Sequence, residues 1–284
     1  MAKDTFFRKK LTLNAGGRLI DLTNPLVMGI INITPDSFHA DSRKNGIDEI
    51  VKQAGAMLAD GAAILDIGGY SSRPGAAEVS PQEEADRVIP GIEAIVKSFP
   101  DVIISVDTFR ADVGEAAINA GANIINDISG GELDDKMFTT VARLQVPYIL
   151  MHMRGTPQSM TQLTDYDDVF AEVYNYFAKK IYQLRQLNVH DIILDPGFGF
   201  AKKAEQSYTL MNRLEDFAPL ELPILTGVSR KRMIYNLLGN TAAEALNGTT
   251  ALNTIALTKG TNILRVHDVK AAVEAVKIWE ACDA

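Results

Sequence analysis

Polar residues with chemical capacity recur in this chain just behind short apolar runs. They are Asn32, Asp66, Asp107, Asn126 with Asp127, His152, Asp195, the run Ser229-Arg230-Lys231, and Arg265 with His267. Each has a duller role when taken alone. Asp and Asn behind a strand often cap the next helix, a buried histidine is usually a hydrogen-bonded structural one, and Arg and Lys are usually solvated. Their distribution along the chain is less ordinary. Acids and amides come first and cations with hydroxyls come last, which suggests a polar ring bound on one side and an anion on the other. Asp107, Asn126 and Asp195 offer acceptors and one amide donor pair. That set suits a flat heterocycle with several N–H groups and a carbonyl, such as a pterin or a purine. Two carboxylates drawn out of water need compensation, which Lys231, Arg265 or the ligand itself can supply. Ser229, Arg265 and His267, with Asn32 and the Ser71-Ser72-Arg73 turn, could hold an anion such as pyrophosphate, for which arginine suits bidentate contacts.

Such residues can meet only if the chain gathers its strand ends. Apolar, mostly β-branched runs at 27–31, 64–67, 103–106, 124–125, 148–151, 192–194, 224–228 and 263–266 read as strands buried on both faces. Helical segments are expected between them at 47–60, 81–99, 111–120, 135–144, 168–187, 205–217, 243–259 and 269–282. Ser80, Pro81 and Glu83 carry the signature of a capping box with proline at the first helical position. Gly61 and Gly121 stand where helices stop. Eight strand–helix pairs in an α/β chain predict a (β/α)8 TIM barrel, whose site lies at the C-terminal ends of its strands. The alternative is a doubly wound open sheet, but no glycine-rich dinucleotide fingerprint follows the first strand. Ahead of the repeat, 6–13 and 18–22 flank Asn14-Ala15-Gly16-Gly17, which reads as an N-terminal β-hairpin covering the other mouth. The expected organisation is one domain over 1–284, with the hairpin in 1–25 and the barrel in 26–284.

The 284 residues carry a formal net charge of −8, which argues against a nucleic-acid partner. No apolar run is long enough for a membrane span, and the N-terminal residues lack the apolar stretch of a signal peptide. The single cysteine, Cys282, can form no internal disulfide and points to a reducing compartment, so a cytoplasmic location is expected.

The motifs resemble those of the dihydropteroate synthase family. Residues 28–38 (MGIINITPDSF) and 66–75 (DIGGYSSRPG) look like its first two signatures. Residues 105–108 (SVDT), 125–127 (IND), 150–153 (LMHM), 195–200 (DPGFGF), 227–231 (GVSRK) and 265–268 (RVHD) follow in family order. The resemblance runs from about residue 26 to the end. It implies a TIM barrel, usually dimeric, acting as a transferase in folate biosynthesis. The implied reaction joins 6-hydroxymethyl-7,8-dihydropterin pyrophosphate to p-aminobenzoate, with release of pyrophosphate and competition by sulfonamides. It implies that Asp107, Asn126, Asp195 and Lys231 hold the pterin, that Met151, Phe200 and Gly227 line its slot, and that Arg265 stacks on it. Asn32 would touch Mg²⁺. Ser72, Arg73, Ser229, Arg265 and His267 would meet the pyrophosphate or the loops around it. Phe38, Pro74, Phe200 and Lys231 would border p-aminobenzoate, with loops 34–45 and 68–79 closing over the site. The residues expected to carry catalysis are thus Asp107, Lys231, Arg73, Ser72 and His267. Three departures from the family pattern stand out. Ser72 replaces the usual threonine and keeps the hydroxyl, residues 39–43 (HADSR) follow Phe38, and Arg232 follows Lys231. Two other functions fit parts of the pattern. A methyltetrahydrofolate-to-corrinoid methyltransferase would share Asp107, Asn126 and Asp195 but has little use for the turn at 71–75. A non-catalytic pterin-binding barrel would have no need of the whole polar ring.

Overall fold

A computed structural model describes residues 10–33, 43–71 and 78–283. The chain opens with a two-stranded antiparallel hairpin, β1 (Thr12–Ala15) and β2 (Arg18–Asp21). Gly16 and Gly17 both take positive φ at its turn, and the Asn14 side chain accepts a hydrogen bond from the Gly17 N–H at 2.8 Å. An eight-stranded parallel sheet follows. Its strands are β3 (Leu26–Asn32), β4 (Ile64–Gly68), β5 (Ile104–Asp107), β6 (Ile124–Asp127), β7 (Tyr148–Met151), β8 (Ile192–Asp195), β9 (Leu225–Thr226) and β10 (Ile263–Val266). Its order is β8-β7-β6-β5-β4-β3-β10-β9, and a parallel bridge between Leu194 and Ile224 joins the two ends. The Leu194 N–H also donates to the Pro223 carbonyl at 2.9 Å. This is the expected (β/α)8 TIM barrel.

The helices are α1 (Arg43–Ala59), α2 (Pro81–Ser98), α3 (Ala111–Asn119), α4 (Met137–Leu144), α5 (Val169–Gln186), α6 (Ala204–Asn212), α7 (Arg232–Leu238), α8 (Leu246–Thr258) and α9 (Val269–Asp283). The capping box at α2 is present: the Ser80 hydroxyl accepts from the Glu83 N–H at 3.2 Å, and Glu83 accepts from the Ser80 N–H at 2.9 Å. Gly61 and Gly121 take positive φ behind α1 and α3, as a helix stop requires. Several boundaries shift by one to four residues from the sequence reading, and three differences are larger. The single helix expected at 205–217 is α6 followed by a 3₁₀ segment, Leu214–Leu220, which contains Pro219. A helix is present at α7, where none was expected. The strand expected at 224–228 pairs only at Ile224, Leu225 and Thr226, because the chain beyond them turns into the site.

Alternation along the strands separates two apolar layers. Residues such as Val27, Leu65, Val106, Ile125, Leu150, Leu194 and Leu264 pack outward in the helix-facing core. Met28, Ile64, Ile124, Ile149, Ile193, Leu225 and Ile263 have the opposite parity and fill the lower barrel. There they pack with Leu13, Ala15, Ile20 and Leu22 of the hairpin segment. The hairpin therefore plugs the N-terminal mouth. Moving two or four residues up each strand on this inward parity leads to the site.

Candidate active site

On the inward parity, Met28 leads to Asn32, Ile64 to Asp66, Ile124 to Asn126 and Ile149 to Met151. Likewise Ile193 leads to Asp195, Leu225 to Gly227, and Ile263 to Arg265 and His267. Strand register sets these side chains at matching heights. Asp107 pairs with Asn126, and Met151 with Asp195. The result is a polar ring above an apolar plug.

Arg265 ties the ring together. Its Nε donates to Asp66 Oδ2 at 2.6 Å and its Nη2 to Asp107 Oδ2 at 2.5 Å. Asn126 Nδ2 donates to the same Asp66 oxygen at 3.1 Å. Burial opposes charge on Arg265, yet Asp66 and Asp107 outweigh it and hold the guanidinium protonated beyond its ordinary range. Burial pushes Asp107 up to about 7, against the pull of Arg265 and with help from the nearby charge of Asp66. Burial also raises Asp195, although Lys231 and a hydrogen bond from the Gly197 N–H favour its anion. Lys231 is lowered to about 8 by burial, with Asp195 opposing the shift. Its Nζ donates to the Phe198 carbonyl at 2.5 Å and lies 4.5 Å from the centre of the Phe200 ring. Phe200 packs on the small apolar cluster that contains Met151. Gly227 keeps the slot open: a Cβ there would stand 3.9 Å from both Asp195 Oδ2 and Arg265 Cβ.

A second group adjoins this ring. Ser229 Oγ and His267 Nδ1 are 3.0 Å apart, and the His267 N–H donates to the same hydroxyl at 3.2 Å. Arg230 does not face the slot. Its Nε and Nη2 make a two-pronged bond to Asp268, each at 2.8 Å, which ties β10 to the turn after β9. Asn32 is exposed at the end of β3, and a Cβ on Gly68 would lie 3.8 Å from its Oδ1.

The structure thus gathers Asn32, Asp107, Asn126, Met151, Asp195, Phe200, Gly227, Ser229, Lys231, Arg265 and His267 at the C-terminal mouth. Phe38, Asp41, Ser72, Arg73 and Pro74 lie outside the described residues. Two strand-end residues turn away from the ring. Asp127 has outward parity and accepts from Ser129, Gly131 and Tyr148, so it organises the β6–α4 turn. His152 is buried against Tyr176 and pairs with Lys202. Asp66 is the member that the sequence reading left out of the binding set, although it is fully buried and shared by Arg265 and Asn126. Its even spacing from inward Ile64 was the available signal.

The chain matches the pterin-binding enzyme family over residues 28–267. It is 45% identical over 273 residues to a dihydropteroate synthase of Escherichia coli (strain K12), covering 95% of this chain and 96% of that one. The chain belongs to the pterin-binding enzyme family, among the dihydropteroate synthases. Solved structures of dihydropteroate synthases agree. That of Xanthomonas albilineans with 4-aminobenzoic acid is 38% identical with a TM-score of 0.89, covering 96% of this chain and 98% of that one. That of Yersinia pestis with a sulfonamide drug is 42% identical, also with a TM-score of 0.89, over 96% of this chain and 99% of that one.

Proposed function

We propose that this barrel condenses 6-hydroxymethyl-7,8-dihydropterin pyrophosphate with p-aminobenzoate to give 7,8-dihydropteroate and pyrophosphate. The observation that carries the reading is the convergence of Asp107, Asn126, Asp195, Lys231 and Arg265 on one slot, beside the Ser229–His267 pair. Asp107, Asn126 and Asp195 take the N–H edge and carbonyl of the pterin, with Lys231 on the same edge. Met151, Phe200 and Gly227 bound its faces, and Arg265 stacks on it. Ser229, Arg265 and His267 hold the pyrophosphate, with Ser72 and Arg73 closing on it. Phe38, Pro74, Phe200 and Lys231 frame p-aminobenzoate, and a sulfonamide would occupy the same place.

The chemistry follows from the charges. The bond between the exocyclic methylene and the pyrophosphate oxygen breaks early, and its electron pair leaves with the phosphate. Positive charge is left on the methylene and pterin ring, where the carboxylates of Asp107 and Asp195 stabilise it. The neutral arylamine attacks the methylene and then loses a proton. The attack needs no strong base, because a neutral arylamine is already nucleophilic. His267 and Arg73 neutralise the leaving group.

Asn32 offers one exposed amide oxygen, and no group of three His, Cys, Asp or Glu that could hold a metal gathers among the described residues. That donor set suits Mg²⁺, which binds through few protein oxygens and keeps water and phosphate ligands. When bound, Mg²⁺ would supply charge neutralisation to the departing pyrophosphate. No helix among the described residues is long and apolar enough to cross a membrane, and the lone Cys282 supports a cytoplasmic setting. A homodimer is part of the proposal. A groove of about 550 Å³ between α8 and α9, lined by Leu246, Ala275 and Ile278 among others, gives this face an apolar character suited to a second copy.

The deciding experiment measures pyrophosphate release from the purified chain. Release that requires both substrates and Mg²⁺ supports the reading. Methyl transfer dependent on cobalamin, or no release, overturns it.

A further inference from the structure

The β8–α6 loop, residues 196–203, carries Phe198 and Phe200, the two groups that fix the Lys231 amine. The loop carries its own turn, with the Phe200 N–H donating to the Gly197 carbonyl at 3.0 Å, and the Gly199 N–H donates to Ser207 Oγ at 3.2 Å. Gly197 and Gly199 have positive φ, and so does Ala201, a conformation that strains a residue with a Cβ. A buried side chain, Lys202, which is 7% exposed, ties the loop to the neighbouring strand. Its Nζ lies 2.8 Å from His152 Nδ1 and donates to the carbonyls of Phe200 at 3.0 Å, Gly197 at 3.1 Å and His152 at 3.2 Å. The two loop carbonyls lie on either side of Phe198. The two contacts to His152 reach the end of β7, the neighbouring strand.

The fit around this nitrogen is close. A Cβ on Gly197 would stand 2.1 Å from the His152 carbonyl oxygen and 3.3 Å from Lys202 Nζ, so the two loops touch backbone to backbone. Burial pushes both Lys202 and His152 well below their ordinary values. Burial thus disfavours charge on both partners of the Lys202–His152 contact. Taking an amine out of water is costly unless its hydrogen bonds are satisfied. Here they set the path of one loop.

We propose that Lys202 is a positioning residue. Its side chain clamps the β8–α6 loop onto the end of β7, and thereby holds the Phe198 carbonyl and the Phe200 ring where they fix the Lys231 amine. It touches no substrate. The kinetic consequence rests on the functional reading above, in which Phe200 and Lys231 border p-aminobenzoate.

The test substitutes Lys202→Met in the full chain, with folding checked by circular dichroism. The Lys231 titration is then followed by ¹³C NMR after reductive methylation, with Lys231→Arg assigning the signal. Asp195, Arg265 and Asp107 face Lys231 in both proteins, but Lys202 itself repels the Lys231 charge and favours the Asp195 anion. Lys202→Arg, which keeps the charge on a bulkier head, is therefore run beside Lys202→Met to separate release of the loop from loss of charge. Wild type should titrate near about 8. Both variants should titrate higher than wild type, because a released loop lets the amine reach water. A midpoint unshifted in both, or raised in Lys202→Met but not in Lys202→Arg, reports no release of the loop and overturns the proposal. In the pyrophosphate-release assay, KM for p-aminobenzoate should rise tenfold or more, and calorimetric affinity for the dihydropterin, which Phe200 and Lys231 also border, should fall with it. A fall in kcat alone, with both affinities unchanged, overturns it. If wild type releases no pyrophosphate, the functional reading fails, and the NMR arm still decides the clamp. Should Lys202→Met not fold, Lys202→Gln keeps an amide donor pair without the charge, and the same outcomes apply to it.

Discussion

Replacing Asp107 with asparagine separates charge from shape at the centre of the ring. Asp107 Oδ2 accepts from Arg265 Nη2 at 2.5 Å, and burial lifts the carboxyl from its usual 3.8 to about 7. A pterin N–H needs the anion as its acceptor, so at pH 8 the wild-type group is mostly competent. At pH 6 only about one molecule in eleven is ionised. Hydrogen bonds to a charged group contribute about 1.5–3 kcal/mol. Asp107→Asn should therefore weaken 6-hydroxymethyl-7,8-dihydropterin binding at pH 8 by about 10- to 150-fold. At pH 6 the wild type has itself lost about one pH unit of ionisation, or about 1.4 kcal/mol. The gap between the two proteins should shrink about tenfold. Calorimetric titrations at pH 6, 7 and 8 measure this, and the ratio cancels titrations common to both proteins, including Lys231. Stability should move the other way. A carboxyl whose folded value is raised contributes stability below about 3.8 and loses it as pH climbs through about 7. The rise of about three units sets an upper limit of about 4 kcal/mol on that loss. The asparagine variant should thus be at least as stable as wild type at pH 8, read by its Tm. A pH-independent gap in affinity, or a Tm at pH 8 well below wild type, would refute the reasoning.

Three further substitutions probe other parts of the mouth. Asp195→Ala should abolish measurable binding of the pterin pyrophosphate in a calorimetric titration, and an unchanged affinity would count against the slot. Ser229→Ala should raise KM for the pterin pyrophosphate by about tenfold, the effect of losing about 1.4 kcal/mol of hydrogen bonding. Affinity for the pterin alcohol without phosphates should not change. Gly197→Ala forces a Cβ toward the His152 carbonyl oxygen from a positive φ. It should cost at least about 2 kcal/mol in urea unfolding, and a neutral result would show that the contact between the two loops can relax.

Much of the barrel was legible because its strands are buried on both faces, so each reads as a short apolar run between helices with clear stops. Ser80 with Glu83, Gly61 and Gly121 marked ends that depend on nearby residues alone. The errors fall where distant contacts decide. Of the apolar run at 224–228, only Ile224, Leu225 and Thr226 pair, since Val228 and Ser229 already lie in the turn above the barrel. The α7 segment, only seven residues long, has too few turns to show a periodic apolar face. The 3₁₀ stretch behind α6 looked helical because Leu214 and Phe217 are both buried on one side.

The site was legible as a set of strand ends, but strand ends alone do not say which side chains enter the barrel. Asp66, Asp127 and Asp195 look alike in sequence, each an acid closing a hydrophobic run. Alternation divides them. Asp66 and Asp195 lie two residues beyond the inward Ile64 and Ile193, whereas Asp127 is three beyond the inward Ile124 and faces out. Applied to the sequence, that count would have placed Asp66 beside Arg265 and removed Asp127 from the ring before any coordinates existed. No such count reaches Lys202. It lies beyond the strand, where Gly197, Gly199 and Ala201 reverse the backbone hand three times and break the alternation. A buried lysine inside a loop rich in glycine is found only when its carbonyl partners are seen. The parts of this site that touch ligand follow from strand geometry. The part that holds them steady depends on the loop's own folding, which is why the clamp must be tested through Lys231 and not through Lys202 itself.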